Sequence, residues 1–159
     1  MTIDIGQSIP DVSLFTNGPK GPEPISTGDF FKGRKVVLFG VPGAFTPGCS
    51  NAHMPGFVVS ADKLKEKGVD AIACVAVNDA FVLDAWQKNQ NAENITMLAD
   101  GNAELARALG LDMDGSGFGL GTRCQRFALI AEDGVVRYLG VDPKGVDKSA
   151  ADTVLAQLD

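Results

Sequence analysis

Histidine, tryptophan and tyrosine each occur once in this chain of 159 residues, and cysteine occurs three times. Each scarcity excludes something. One imidazole and three widely spaced thiols, Cys49, Cys74 and Cys124, are too few soft ligands for a closed zinc site, and no Asp-rich or His-rich cluster suggests another metal. No cofactor is expected: a phosphate-cradling GxxxxGK pattern is missing, and the glycine-rich residues 115–121 follow a predicted helix, not a buried strand. An odd cysteine count is no disulfide framework, and the lack of a CxxC pair argues against a dithiol exchanger. There is no run of about 18 uncharged apolar residues, and the opening MTIDIGQSIPD has neither the basic flank nor the apolar stretch of a secretion signal. The expectation is a cytoplasmic protein with no membrane partner. Basic residues are also few and scattered: 14 Lys plus Arg face 20 Asp plus Glu, and a net charge of -6 disfavours nucleic acid as a partner.

Against these absences stand a 45% hydrophobic content and nine phenylalanines, enough to fill one core, so residues 1–159 are read as a single domain. Residues 1–34 read as irregular, with a short strand at 12–15 and then NGPKGPEP, whose glycines and prolines forbid a helix. KVVLFGV (35–41) is a nearly unbroken β-branched and aromatic run, as expected of a strand covered on both faces. VDAIACVAV (69–77) repeats that pattern, and residues 95–98 form a third short strand. Met54, Phe57, Ala61 and Leu64 step by three and four, which predicts a helix over 50–67 in which Pro55 requires a kink or a shifted start. Asp79 caps a helix carrying Phe81, Val82, Ala85 and Trp86, the last read as core. Leu105, Ala106 and Leu109 mark another helix, closed by Gly110. Residues 112–121 read as a loop, 126–131 and 135–141 as a hairpin around Glu132-Asp133-Gly134, and 149–158 as a last helix. Early strands joined through helices and a late hairpin predict an α/β protein with a mixed central sheet flanked by helices, the thioredoxin-like layout.

The chemistry concentrates in PGAFTPGCS, residues 42–50, between the first buried strand and the long helix. A thiol at a helix amino terminus meets free N–H groups and the positive end of the dipole, both of which favour a nucleophilic thiolate. Pro42 and Pro47 stiffen the loop, so the hydroxyl of Thr46 is available to accept from or donate to a group approaching Cys49. His53 follows one helical turn later and is read as a structural or tuning group. Phe45 and Phe118 are candidates for an apolar wall around the site. An anionic sulfur also calls for a fixed cation, and on the residues alone Arg126, Arg123, Arg107 and Arg137 are equal candidates. Cys74, central in a buried strand, reads as a small hydrophobe. Cys124 is expected to begin the Arg126 strand and to be a little more exposed.

PGAFTPGCSNAHMPGF (42–57) resembles the peroxiredoxin signature, in the atypical type II, peroxiredoxin-five-like group. The resemblance continues through VNDAFVLDAW, LADGNAELARALG and GLGTRCQRFALIAEDGVV, nearly the whole chain. It implies a thiol-specific peroxidase that reduces hydrogen peroxide and alkyl hydroperoxides through a sulfenic acid on Cys49. It implies that Pro42 and Thr46 complete the site, and of the four arginines it selects Arg126. The mammalian relative carries a resolving cysteine in the loop after the hairpin; this chain has none beyond Cys124. The implied reductant is therefore external, glutaredoxin with glutathione or thioredoxin, with Cys74 and Cys124 as secondary thiols. A homodimer is a further implication. Many relatives carry a bulkier residue than Gly48, from which a looser pocket is expected. A non-enzymatic rival, a redox-sensing module that passes its oxidation to a partner, would show no turnover with a small thiol donor.

Overall fold

The computed structural model describes residues 1–158. Strand β3 (Lys35–Gly40) lies at the centre of the molecule because both of its faces are apolar. Val37 and Phe39 enter one core layer, Val36 and Leu38 the other, as the two-residue period of a strand dictates. Its neighbours are β4 (Ala71–Ala76), parallel to it, and β8 (Arg126–Glu132), antiparallel. Outward from β4 come β5 (Thr96–Ala99), parallel, and then the antiparallel hairpin of β1 (Ser13–Gly18) and β2 (Gly21–Ser26). Outward from β8 comes β9 (Val135–Asp142). The sheet order is β2-β1-β5-β4-β3-β8-β9. A separate two-stranded ribbon joins β6 (Asp112–Asp114) to β7 (Thr122–Cys124).

Helices cover both faces. Met54, Phe57 and Leu64 of α2 (Met54–Glu66), Leu83 and Trp86 of α3 (Ala80–Asn89) and Val154 of α5 (Ala151–Ala156) share the Phe39 layer. Phe30 and Phe31 of α1 (Thr27–Phe31) and Leu105 and Leu109 of α4 (Glu104–Leu109) share the Leu38 layer. Asp79 caps α3 by accepting from Val82 N–H at 2.8 Å, and Gly110 ends α4 in the left-handed conformation at φ 68. The mixed sheet flanked by helices is the thioredoxin-like fold expected from the order of the elements.

Four local expectations are corrected. The first 34 residues are irregular only up to residue 12; beyond it Gly18 and Gly21 bound a tight turn between β1 and β2, and the prolines of GPEPIS sit on edge strand β2, where a missing N–H costs no ladder bond. The segment expected as a loop over 112–121 contains β6 and a 3-10 turn, Ser116–Phe118. The last helix is shorter, because residues before Ala151 turn around Asp142 instead. The long helix starts at 47 instead of 50 and changes pitch just ahead of Pro55, where a kink or a shifted start is expected. Residues 47–66 are helical throughout, with a π-helical turn at Cys49–His53 closed by Met54 N–H donating to Cys49 C=O. That wider turn places Pro55 in the opening turn of α2, where its missing N–H and fixed φ are tolerated.

Candidate active site

Beyond β3, Pro42 and Gly43 turn the chain away from the sheet. The N–H and hydroxyl of Thr46 both donate to Gly43 C=O, at 3.3 and 2.6 Å. Inside this turn Phe45 takes φ 66, a left-handed conformation that costs a non-glycine residue roughly 1–2 kcal/mol. The surroundings hold it there. Asn78 Oδ1 accepts from Ala44 N–H at 3.0 Å, and Arg123 of β7 donates to Pro42 C=O at 3.1 Å. A Cβ on Gly43 would lie 2.5 Å from Arg123 Nη1, so glycine leaves this guanidinium room to brace the loop.

Thr46 opens the helix: Ser50 N–H donates to its C=O at 2.9 Å, which puts Cys49 in the first turn with its side chain buried. Trp86 is core, as read from the sequence, and its indole N–H also donates to Ser50 Oγ at 3.0 Å, tying α3 to this turn.

Arg126 begins β8 on the same face as Ala128 and Ile130, toward the α2 layer. Its Nη2 donates to Cys49 Sγ at 3.3 Å and its Nη1 to His53 Nδ1 at 2.9 Å. A guanidinium has only donors, so Nδ1 must accept, and the imidazole is the neutral Nε2–H tautomer. Its Nε2 accordingly donates to Ser149 C=O at 2.9 Å. Burial, and then the adjacent Arg126 charge, push the His53 pKa from 6.5 down to about 4, which keeps the ring neutral near pH 7. The rings of Phe39 and Phe57 flank it at 5.1 and 5.6 Å.

The structure thus brings Cys49, Arg126 and His53 into contact and sets Thr46 and Pro42 in the braced loop beside them. Arg123, one of the competing arginines, supports the loop from outside. At Gly48 a Cβ would come 2.9 Å from Arg126 Nη2, so the glycine leaves the guanidinium room beside the sulfur. Phe45 is 51% exposed and Phe118 89%, so neither ring is packed into a closed wall.

The other two thiols are placed differently. Cys74 lies in the middle of β4 beside Phe39, fully buried, and its pKa is raised well above the usual value by burial, then by Cys124 and Cys49. Cys124 ends β7, does not begin the Arg126 strand, and is buried, contrary to expectation. Its thiol donates to Val41 C=O at 3.1 Å, and burial above all pushes its pKa up to about 12. A thiol so poorly ionised is a poor nucleophile.

Sequence reasoning missed Asn78, Asp142 and Ser149. Asn78 could have been suspected from its place just after a buried strand. Nothing local marks Asp142 or Ser149, whose importance comes from a chain reversal. Among the described residues no group of acidic, histidine and cysteine side chains could hold a metal ion. A buried sulfur facing a fixed cationic donor is instead equipped for nucleophilic attack at a centre where negative charge develops.

The Redoxin family model matches residues 4–155 of this chain. The chain belongs to the peroxiredoxin family. Within it, the relatives are of the type II, peroxiredoxin-five-like group. The chain is 47% identical over 164 residues to chloroplastic peroxiredoxin-2E-2 of Oryza sativa subsp. japonica, a match covering 99% of this chain and 73% of the relative. The crystal structure of reduced Prx3 from Vibrio vulnificus in complex with hydrogen peroxide superposes with a TM-score of 0.96 at 53% identity, over 99% of this chain and all of that one. Peroxiredoxin 5 from Alvinella pompejana gives a TM-score of 0.87 at 39% identity, over 98% and 97% of the two chains. As a peroxiredoxin, the protein is a thiol-dependent peroxidase.

Proposed function

We propose that Cys49 is the nucleophile of this peroxidase and that it returns to the thiol state through an external reductant. The observation that carries this reading is the 3.3 Å contact from Arg126 Nη2 to Cys49 Sγ, among the described residues the one cysteine with a cationic donor on its sulfur. The sulfur attacks one peroxide oxygen: an S–O bond forms, the O–O bond breaks, and the departing oxygen takes a proton and leaves as water or an alcohol. Sulfur is oxidised by two electrons to a sulfenic acid. Arg126 stabilises the charge spreading over sulfur and oxygen. Thr46, its proton committed to Gly43 C=O, has lone pairs that accept from the incoming hydroperoxide. The hydrogen peroxide held by the Vibrio relative supports a small hydroperoxide as substrate, and alkyl hydroperoxides share the same O–O chemistry.

An external thiol then condenses with the sulfenic acid, expelling water and forming a mixed disulfide, and a second thiol frees Cys49. Burial of Cys74 and Cys124 within the strands supports a donor from outside the chain, glutathione with glutaredoxin or thioredoxin. Three free cysteines suit a reducing compartment such as the cytoplasm. Phe45, Phe118 and Leu120, exposed on the loops joined by Arg123, suit a homodimer built on that face.

A brief substoichiometric peroxide pulse followed by dimedone and mass spectrometry tests the nucleophile: the adduct belongs on Cys49, and an adduct on Cys74 or Cys124 refutes the assignment. Turnover assays with thioredoxin, with glutaredoxin plus glutathione, and with glutathione alone identify the donor.

A further inference from the structure

Arg126 and Asp142 face each other across the β8–β9 ladder as register partners. Opposite charges in that position ordinarily pair, yet among the described residues no ion pair joins them. Both are engaged elsewhere. The Arg126 fork is divided between Cys49 and His53. The Asp142 carboxylate gathers the loop that follows it: Oδ2 accepts from Asp147 N–H at 2.9 Å, Ser149 N–H at 2.8 Å and Ser149 Oγ at 2.6 Å, and Oδ1 accepts from Lys148 N–H at 3.1 Å. Burial raises the pKa of this acid, but the four donors, led by the Ser149 hydroxyl, outweigh it and bring the value down to about 2. Asp142 is therefore a fixed anion whose lone pairs are spent on one turn of backbone.

That turn ends at Ser149, fully buried, whose C=O accepts from His53 Nε2 at 2.9 Å. The loop thus reaches the imidazole, and the imidazole reaches the arginine. An isolated neutral histidine exchanges between two tautomers, and only the Nε2–H form leaves Nδ1 free to accept from a guanidinium. Without an acceptor at Nε2, the competing form would aim an N–H at Arg126 Nη1.

On the reading that Cys49 is the nucleophile, we infer that Asp142 is a positioning residue of the peroxidase site. It holds the Ser149 carbonyl against His53, which reinforces the imidazole tautomer that Arg126 requires, fixing one arm of the guanidinium and leaving the other aimed at Cys49. The anion acts through three intermediaries and touches none of the reacting atoms. Ion-pairing to Asp142 would draw the guanidinium away from the sulfur, so engaging the carboxylate with the loop also protects the site.

His53 is the only histidine, so its ring nitrogens give an unambiguous NMR signature in reduced protein labelled with 15N-histidine. The expected spectrum has a protonated Nε2 and an unprotonated Nδ1. Asp142→Asn is expected to shift it toward a tautomer mixture and to slow Cys49 oxidation by about 10- to 100-fold, the range for a misplaced catalytic group. Two substitutions of His53 separate the links. His53→Asn keeps an acceptor near the Nδ1 position and should retain much of the rate, with no further loss when Asp142→Asn is added. His53→Gln keeps a donor toward Ser149 but offers Arg126 no acceptor, and should be slow. If Asp142→Asn does not fold, Ser149→Ala, which removes the 2.6 Å hydroxyl contact and leaves three backbone donors on Asp142, should give a smaller shift in the same direction. An unchanged imidazole spectrum in the folded variant, or an undiminished effect of Asp142→Asn in the His53→Asn background, overturns the inference. The spectrum is read without peroxide, so it stands or falls separately from the assignment of Cys49.

Discussion

Gly48 lies directly beneath Arg126: a methyl group on its Cα would sit 2.9 Å from Nη2, the nitrogen that donates to Cys49 Sγ. The backbone there is ordinary helix, φ -63 and ψ -38, so nothing in its conformation requires glycine. Gly48→Ala therefore separates stability from activity. Stability should change by less than about 1 kcal/mol, the stiffer unfolded chain offsetting the displaced guanidinium, while that displacement slows Cys49 oxidation by about 10- to 100-fold. Urea unfolding and stopped-flow oxidation of the same sample check both halves; a variant equally fast with peroxide shows that Arg126 tolerates the shift.

Arg126 serves two acceptors with two nitrogens of one rigid plane. Arg126→Lys keeps the charge but offers a single ammonium that cannot reach Sγ and Nδ1 together. We expect peroxide reduction to slow by about 100- to 1,000-fold, the scale for removing a charge-stabilising donor. Free guanidinium ions added to Arg126→Ala should restore part of the rate.

The Thr46 hydroxyl proton is held by Gly43 C=O at 2.6 Å. Thr46→Val preserves the shape and removes the acceptor, and should slow peroxide reduction by about 100-fold, whereas Thr46→Ser should stay within about tenfold of the parent. Equal rates for the two variants would mean that the hydroxyl takes no part in binding peroxide.

Cys74→Ala and Cys124→Ala each remove a buried sulfur whose ionisation is suppressed. Each should lower stability by about 1 kcal/mol through lost packing. Turnover with an external thiol should be unchanged, and non-reducing electrophoresis of the oxidised parent should show no internal crosslink. Loss of turnover in either variant would make that thiol a resolving group.

His53 sets an acid limit on stability. Its pKa falls from 6.5 in the unfolded chain to about 4 in the folded one, so the unfolded state binds the extra proton as pH drops. The folded state should keep its full margin above pH 6.5, lose roughly 3 kcal/mol between 6.5 and 4, and lose no more from this group below that. Urea midpoints across that range should flatten in His53→Asn, and an equal slope in both proteins would exclude His53 as the cause.

The apolar runs at residues 35–41 and 69–77, the steps of the long helix and the breakers around Cys49 determined by themselves the alternation of strands and helices and the place of the reactive loop. Periodicity and proline act over a few residues, so a linear reading captures them. Spacing alone left four arginines equal, because the choice of Arg126 depends on the antiparallel register that sets β8 beside β3. The exposure of Cys124 was misjudged for the same kind of reason: it packs into the Leu38 core layer, and its thiol meets the Val41 carbonyl, 83 positions away in the chain. Tertiary structure alone decided the path from Asp142 through Ser149 and His53 to Arg126. Those hydrogen bonds join residues that only chain reversal and sheet closure bring within 3 Å, and no local pattern records such a meeting.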